Sequence, residues 1–129
     1  MATWTSDELS KIGTAEELEI ASRRADGMLR NPVTIWVVRH GDDLYVRAVN
    51  GRTIGWFRGT QTRHEGRIRA GGIEKDVTFV EVDADNDIHE QIDAVYWAKY
   101  RHFAQYVPPV VTPEARAATI KLVPRSAGS

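Results

Sequence analysis

The chain contains no cysteine, which excludes disulfides, thiolate zinc sites, iron–sulfur ligation and a cysteine nucleophile. It has no long apolar run either. Nothing approaches the roughly 20 residues a membrane helix needs, so no membrane association is expected. Excess charge of one sign is missing as well: seventeen Lys and Arg against eighteen Asp and Glu leave a net charge of −1. That balance argues against a nucleic-acid partner, whose affinity rests on neutralising phosphates. The four histidines, His40, His64, His89 and His102, form no His-Glu-x-x-His or comparable motif, so no metal is expected. No Gly-x-Ser-x-Gly elbow occurs, which disfavours covalent serine catalysis. The first residues, Met1 to Glu8, offer neither a basic patch nor an apolar stretch, so no secretory signal is read there and the expected compartment is the cytoplasm.

What is present is ordinary for a globular protein. Hydrophobic residues make up 42% and charged residues 27% of the 129 positions, enough for one core without staples. A single domain over residues 1–129 is expected, with its core at about 17–124 and a disordered tail at 125–129. Charge is unevenly spread. Arg39, Arg47, Arg52, Arg58, Arg63, Arg67 and Arg69 face only Asp42, Asp43 and Glu65, while Glu81, Asp83, Asp85, Asp87, Glu90 and Asp93 follow. Arginine forks suit carboxylate or phosphate, although a solvated, self-paired surface accounts for the same pattern.

Turn chemistry and periodicity mark out the elements. Ser6 as N-cap, followed by Asp7 and Glu8, predicts a short helix ending near Gly13. Residues 15–24 suit a helix by composition and a strand by the alternation of Leu18, Ile20 and Ser22; a strand is preferred. The β-branched and aromatic run 33–39, the turn His40-Gly41-Asp42-Asp43 and the run 44–49 predict a hairpin, closed by Asn50-Gly51. Its first strand is apolar on both faces, which predicts a central position covered on both sides. On the second strand Tyr45 and Arg47 share a face, expected to be that of a cleft. Residues 53–60 suit a helical turn or a loop carrying Trp56 and Phe57. Runs 65–70 and 74–82 about Gly71-Gly72 predict a second hairpin. Ile88, Ile92, Val95 and Tyr96 recur at helical spacing behind caps at 83–87, giving a helix to about His102. Thr112-Pro113-Glu114 opens a short helix, and 118–123 alternates as a last strand. The sum is an α+β chain: a small six-stranded barrel of antiparallel hairpins with flanking helices.

Three blocks carry a resemblance. They are Thr34-Ile35-Trp36-Val37-Val38-Arg39 with Asp43-Leu44-Tyr45-Val46-Arg47, then Gly55-Trp56-Phe57-Arg58, then Ile92-Asp93-Ala94-Val95-Tyr96 through Lys99-Tyr100. With the closing Ala118-Thr119-Ile120-Lys121-Leu122-Val123-Pro124-Arg125 they resemble an uncharacterised bacterial family known as a domain of unknown function (DUF2255-like), over nearly the whole chain. More distantly, the order of hairpin, Trp-bearing turn, hairpin and helix is similar to the split-barrel flavin and deazaflavin oxidoreductases. That resemblance implies a split barrel, a homodimer, FMN or a deazaflavin held near the subunit interface, and redox chemistry on a small molecule. The deazaflavin relatives carry a Gly-Arg-Lys-Ser-Gly-like turn against the cofactor phosphates. Here the matching turn is His40-Gly41-Asp42-Asp43, whose carboxylates repel a phosphate. Either phosphate contact has passed to Arg47, Arg52 or Arg58, or the cofactor has been given up.

The candidate ligand-binding residues are Trp36, Tyr45, Arg47, Trp56 and Arg58, because a flat anionic molecule needs stacking surfaces and forked cations. On the redox reading Trp56 and Tyr45 line the cleft, while Arg47 and Arg58 hold a phosphate or carboxylate. The alternative is a cofactor-free binding module or a non-redox enzyme for proton transfer or isomerisation. There His64 or Lys99 is the titrating group, with Tyr96 on the same helical stripe as Lys99. A ligand-free account also fits: Trp36 in the core, Trp56 plugging a barrel end, and arginine stems laid over aromatic surface.

Overall fold

The computed structural model describes residues 3–49 and 51–125. Its strands are β1 (Leu18–Ser22), β2 (Val33–Ile35), β3 (Val38–His40), β4 (Asp43–Arg47), β5 (Glu65–Ala70), β6 (Ile73–Val82) and β7 (Thr119–Pro124). They form one antiparallel sheet in the order β2-β1-β5-β6-β7-β4-β3. Helices α1 (Ser6–Thr14), α2 (Gly55–Arg63), α3 (Ile88–Lys99) and α4 (Pro113–Ala117) flank it, so the chain is α+β. Both anticipated hairpins are present. β3 and β4 turn over Gly41 at φ 61°, and β5 and β6 over Gly71 and Gly72 at φ 57° and 82°, conformations that cost glycine little.

β2 and β3 stand at opposite ends of the sheet, yet only Trp36 and Val37 separate them in the chain. Three Cα steps span at most about 11 Å, so the sheet curls until its ends come together. Two expectations are corrected here. The 33–39 run is not one strand, which makes seven strands instead of six, and each half lies at a sheet end, not at the centre. The run is apolar on both faces because its consecutive residues serve different cores: Val37 packs inside the curl and Val38 against α3. The break is satisfied from α3 and the residue after it. Val37 N–H donates to the Tyr100 hydroxyl at 3.1 Å, and its carbonyl accepts from Lys99 Nζ at 2.5 Å.

The strand covered on both sides is β4. Leu44 and Val46 enter the inner core with Leu18, Ile20, Ile68, Phe79 and Leu122, while Tyr45 packs outward with Ile92, Tyr96 and Tyr100. Several boundaries shift by a few residues. α1 is capped by Thr5 in a capping box with Glu8, one residue before Ser6. α3 ends at Lys99, and residues 101–106 continue in 3₁₀ turns with a non-helical Phe103. Residues 53–60 resolve as a 3₁₀ turn leading into α2, which ends at His64 in the left-handed region at φ 56°. Asn50 lies outside the described residues. So does the expected disordered tail beyond Arg125, whose own N–H donates to the Asp76 carbonyl at 2.9 Å. Among the described residues no helix is long and apolar enough to cross a membrane, and no group of three or more His, Asp or Glu is placed to hold a metal.

Candidate ligand-binding cleft

β2 has a strand neighbour on one side only. Its other flank, with the start of α2 and the turns at 101–110, encloses a cleft of about 470 Å³ walled by Trp36, Trp56, Ile35, Ile54, Val49 and Pro109. That volume is in the range of small-molecule sites. Among the described residues no carboxylate lines it. At its rim Tyr106 is 60% exposed and Val49 49%. Trp36 is held in place: its indole lies on the Tyr100 ring with centroids 3.8 Å apart and planes 6° from parallel, and Phe103 leans on it at 6.3 Å. Trp56 meets Phe57 edge to face at 6.1 Å. Fixed aromatic faces give contact area without an ordering cost on binding.

Arg47 borders the cleft, but its guanidinium turns under α3, where the side chain has no exposed surface. Each of its five N–H groups has an acceptor. Nε–H goes to Thr119 Oγ1 at 2.9 Å, Nη1 to Asp93 Oδ1 at 2.5 Å and the Val110 carbonyl at 3.0 Å, and Nη2 to His89 Nδ1 at 3.0 Å and the His89 carbonyl at 3.4 Å. A guanidinium cannot accept, so His89 Nδ1 carries no proton, and His89 Nε2–H donates to the Asp83 carbonyl at 2.6 Å. Asp93 is shared, since its Oδ2 accepts from Arg116. The cation also lies 5.5 Å over the Tyr96 ring. With every donor engaged, Arg47 ties β4, α3 and the 108–110 turn together and has none left for a ligand.

The other sequence candidates are dispersed. Trp36, Trp56 and Arg47 meet at the cleft. Tyr45 is buried beneath α3 on the same face as Arg47, and burial pushes its phenol up. Tyr96 is wholly buried, its hydroxyl has no hydrogen-bond partner among the described residues, and burial raises it far above the ordinary tyrosine value. Arg58 is exposed on α2 and does not line the cleft. Arg52 donates to the Ala117 carbonyl and pairs with Glu81 at 2.7 Å. His64 is exposed, 3.8 Å from Glu81. Lys99 sits at the β2–β3 break, where burial lowers its ammonium to about 8 against an opposing pull from Glu16.

Sequence reasoning missed Asp93 and His89 as partners of Arg47, Arg116 as the second cation on Asp93, and Tyr106, Val49 and Ile54 as walls. One signal was available. His89 and Asp93 stand four apart and Tyr96 three further, which puts all three on one helical stripe.

No curated protein is close enough to this chain to count as a relative. Among solved structures it is similar to HutZ, the heme storage protein of Vibrio cholerae, at 13% identity over 94% of this chain and 90% of that one, with a TM-score of 0.66. It is also similar to a FAD-binding protein of Mesorhizobium loti at 17% identity, 97% and 93% coverage and a TM-score of 0.59. An F420 reductase matches at 13% identity, 92% and 93% coverage and a TM-score of 0.52. At such identities the likeness is one of fold, and the expected distant similarity to flavin and deazaflavin proteins holds at that level. The pattern of the DUF2255 family, described as an uncharacterized protein conserved in bacteria, matches residues 8–122, and the chain belongs to that family.

Proposed function

We propose that this chain is a split-barrel protein that binds a flat aromatic ligand of the flavin or deazaflavin kind in the Trp36–Trp56 cleft, and that it serves redox chemistry on a small molecule as a homodimer. The observation that carries this reading is the pair of indoles in an apolar cleft that no carboxylate lines among the described residues, one of them held by its stack on Tyr100. Aromatic faces of this kind favour offset or edge contact with a planar ring. Such a cofactor, when bound, supplies the transfer of a hydride or of electrons. The chain's own residues bind and orient: Trp36 and Trp56 at the ring, Tyr106 at the rim, and Arg47 and Tyr45 beneath as supports. The FAD-binding protein and the F420 reductase among the similar structures add weight to the reading. The homodimer belongs to the proposal because the exposed Val49 and Tyr106 leave one side of the cleft open to a second copy.

The test is titration of purified protein with riboflavin, FMN and a deazaflavin, followed by ligand fluorescence. Saturable quenching is expected, with Trp36→Ala weakening affinity at least about tenfold, or roughly 1.4 kcal/mol. Failure of all three to bind, or equal binding by the variant, overturns the reading in favour of a cofactor-free module.

A further inference from the structure

A second, smaller cavity of about 260 Å³ opens beside the cleft and shares Val33 and Trp56 with it. Its remaining wall is Ile20, Ser22, Arg30, Asn31 and Gly55, a set that contains a cation, polar side chains and no carboxylate. Arg30 also borders a neighbouring cavity, which is lined by Glu19 and Glu74 together with Arg67 and Arg69, and a further one is lined by Glu17 and Glu19 with Arg69. From this we infer that the smaller cavity is an anion subsite. It receives a phosphate or carboxylate attached to the flat body that occupies the cleft, and in that respect it rests on the function proposed above.

Four features converge on this cavity. Arg30 is exposed and has no ion pair among the described residues; its guanidinium makes one contact, Nη2 to Thr62 Oγ1 at 3.5 Å. Ser22 is only 5% exposed; among the described residues its hydroxyl makes no hydrogen bond, and the residue lines the cavity, where the oxygen can meet an incoming acceptor. Gly59 makes room for both, because a Cβ there would stand 2.5 Å from Ser22 Oγ and 3.1 Å from Arg30 Nε. Finally, α2 begins at this cavity with Gly55, and Ile54 provides no side-chain cap. The N–H groups of Gly55, Trp56 and Phe57 have no acceptor among the described residues, and such a helix start favours an anion. The anion-holding role that sequence assigned to Arg47 and Arg58 thus passes to Arg30, Ser22 and the first amides of α2.

Two measurements test this separately from the cleft. Inorganic phosphate titrated into ¹⁵N-labelled protein is expected to shift the amides of Gly55, Trp56 and Phe57 saturably, with affinity falling at least about fivefold in Arg30→Ala and in Ser22→Ala. Absence of shifts there, or shifts that both variants leave unchanged, overturns the inference. Riboflavin and FMN share a ring and differ by a phosphate. FMN is expected to bind at least about tenfold more tightly, and Arg30→Ala to erase that preference while leaving riboflavin affinity unchanged; equal affinities in the unmodified protein overturn the inference. Phosphate binding without binding of either flavin would retain the anion subsite and overturn the flavin reading of the cleft instead.

Discussion

The hydroxyl of Tyr100 accepts the N–H of Val37 at 3.1 Å and donates to the Glu16 carbonyl at 2.7 Å, while its ring carries Trp36. One side chain therefore holds the cleft wall and the β2–β3 break. Tyr100→Phe keeps the stack and strands a buried donor at Val37, which is fully buried. The expected cost is about 1–3 kcal/mol in urea unfolding, with riboflavin affinity unchanged. An unchanged unfolding midpoint would show that the hydroxyl is not needed there.

Asp93 is the counter-charge of a guanidinium without exposed surface. Asp93→Ala leaves that cation buried and unpaired, at an expected cost of about 3–5 kcal/mol. Arg47→Met removes the cation itself. Combined with Asp93→Ala it is expected to cost less than the sum of the two, and strict additivity in the double-mutant cycle would mean that the pair is uncoupled.

Stability is expected to depend on pH through Lys99. Burial lowers its ammonium to about 8, whereas an unfolded lysine titrates near about 10.4. Between those values the unfolded chain holds a proton that the folded chain has lost, so stability rises with pH across that interval and is flat, at its lower level, beneath it. Lys99→Met removes the rise. The unfolding free energies of the two proteins compared at about pH 7 and about pH 10 should shift in favour of the unmodified chain at the higher value, and a constant difference would contradict this.

Gly66 is closed to any side chain. A Cβ there would lie 2.2 Å from the Ala21 carbonyl oxygen and 2.9 Å from Phe79 Cζ, so β1 and β5 could not keep their pairing. Gly66→Ala is expected to destabilise by about 3 kcal/mol or more, read as a fall in melting temperature.

Local features were legible in the sequence and convergence was not. The β3–β4 and β5–β6 hairpins announced themselves because glycine turns and alternating runs are short-range signals, and α3 did so through its apolar spacing. The run 33–39 misled because strand-forming residues look alike whether the strand continues or breaks, and the break depends on Tyr100 and Lys99 more than 60 residues away. Trp36 and Trp56 were singled out for their stacking faces alone, and both line the cleft, but nothing local in the sequence placed them side by side. Arg47 was read as a free cation because its acceptors, from Asp93 to Thr119, are set by tertiary packing. Arg30 and Ser22 attracted no attention, since they gain meaning only when the loop after β1 folds back and the Arg30 N–H donates to the Ser22 carbonyl at 2.9 Å.

The two residues that carry the chain from one end of the sheet to the other act as a clasp. Peeling away either terminal strand pulls on the same dipeptide, so amide protons at 33–35 and at 38–40 should exchange as one unit despite their distance along the strand order. A guest resting on Trp36 presses on that clasp, and its occupancy would register as slower exchange at both ends of the curl.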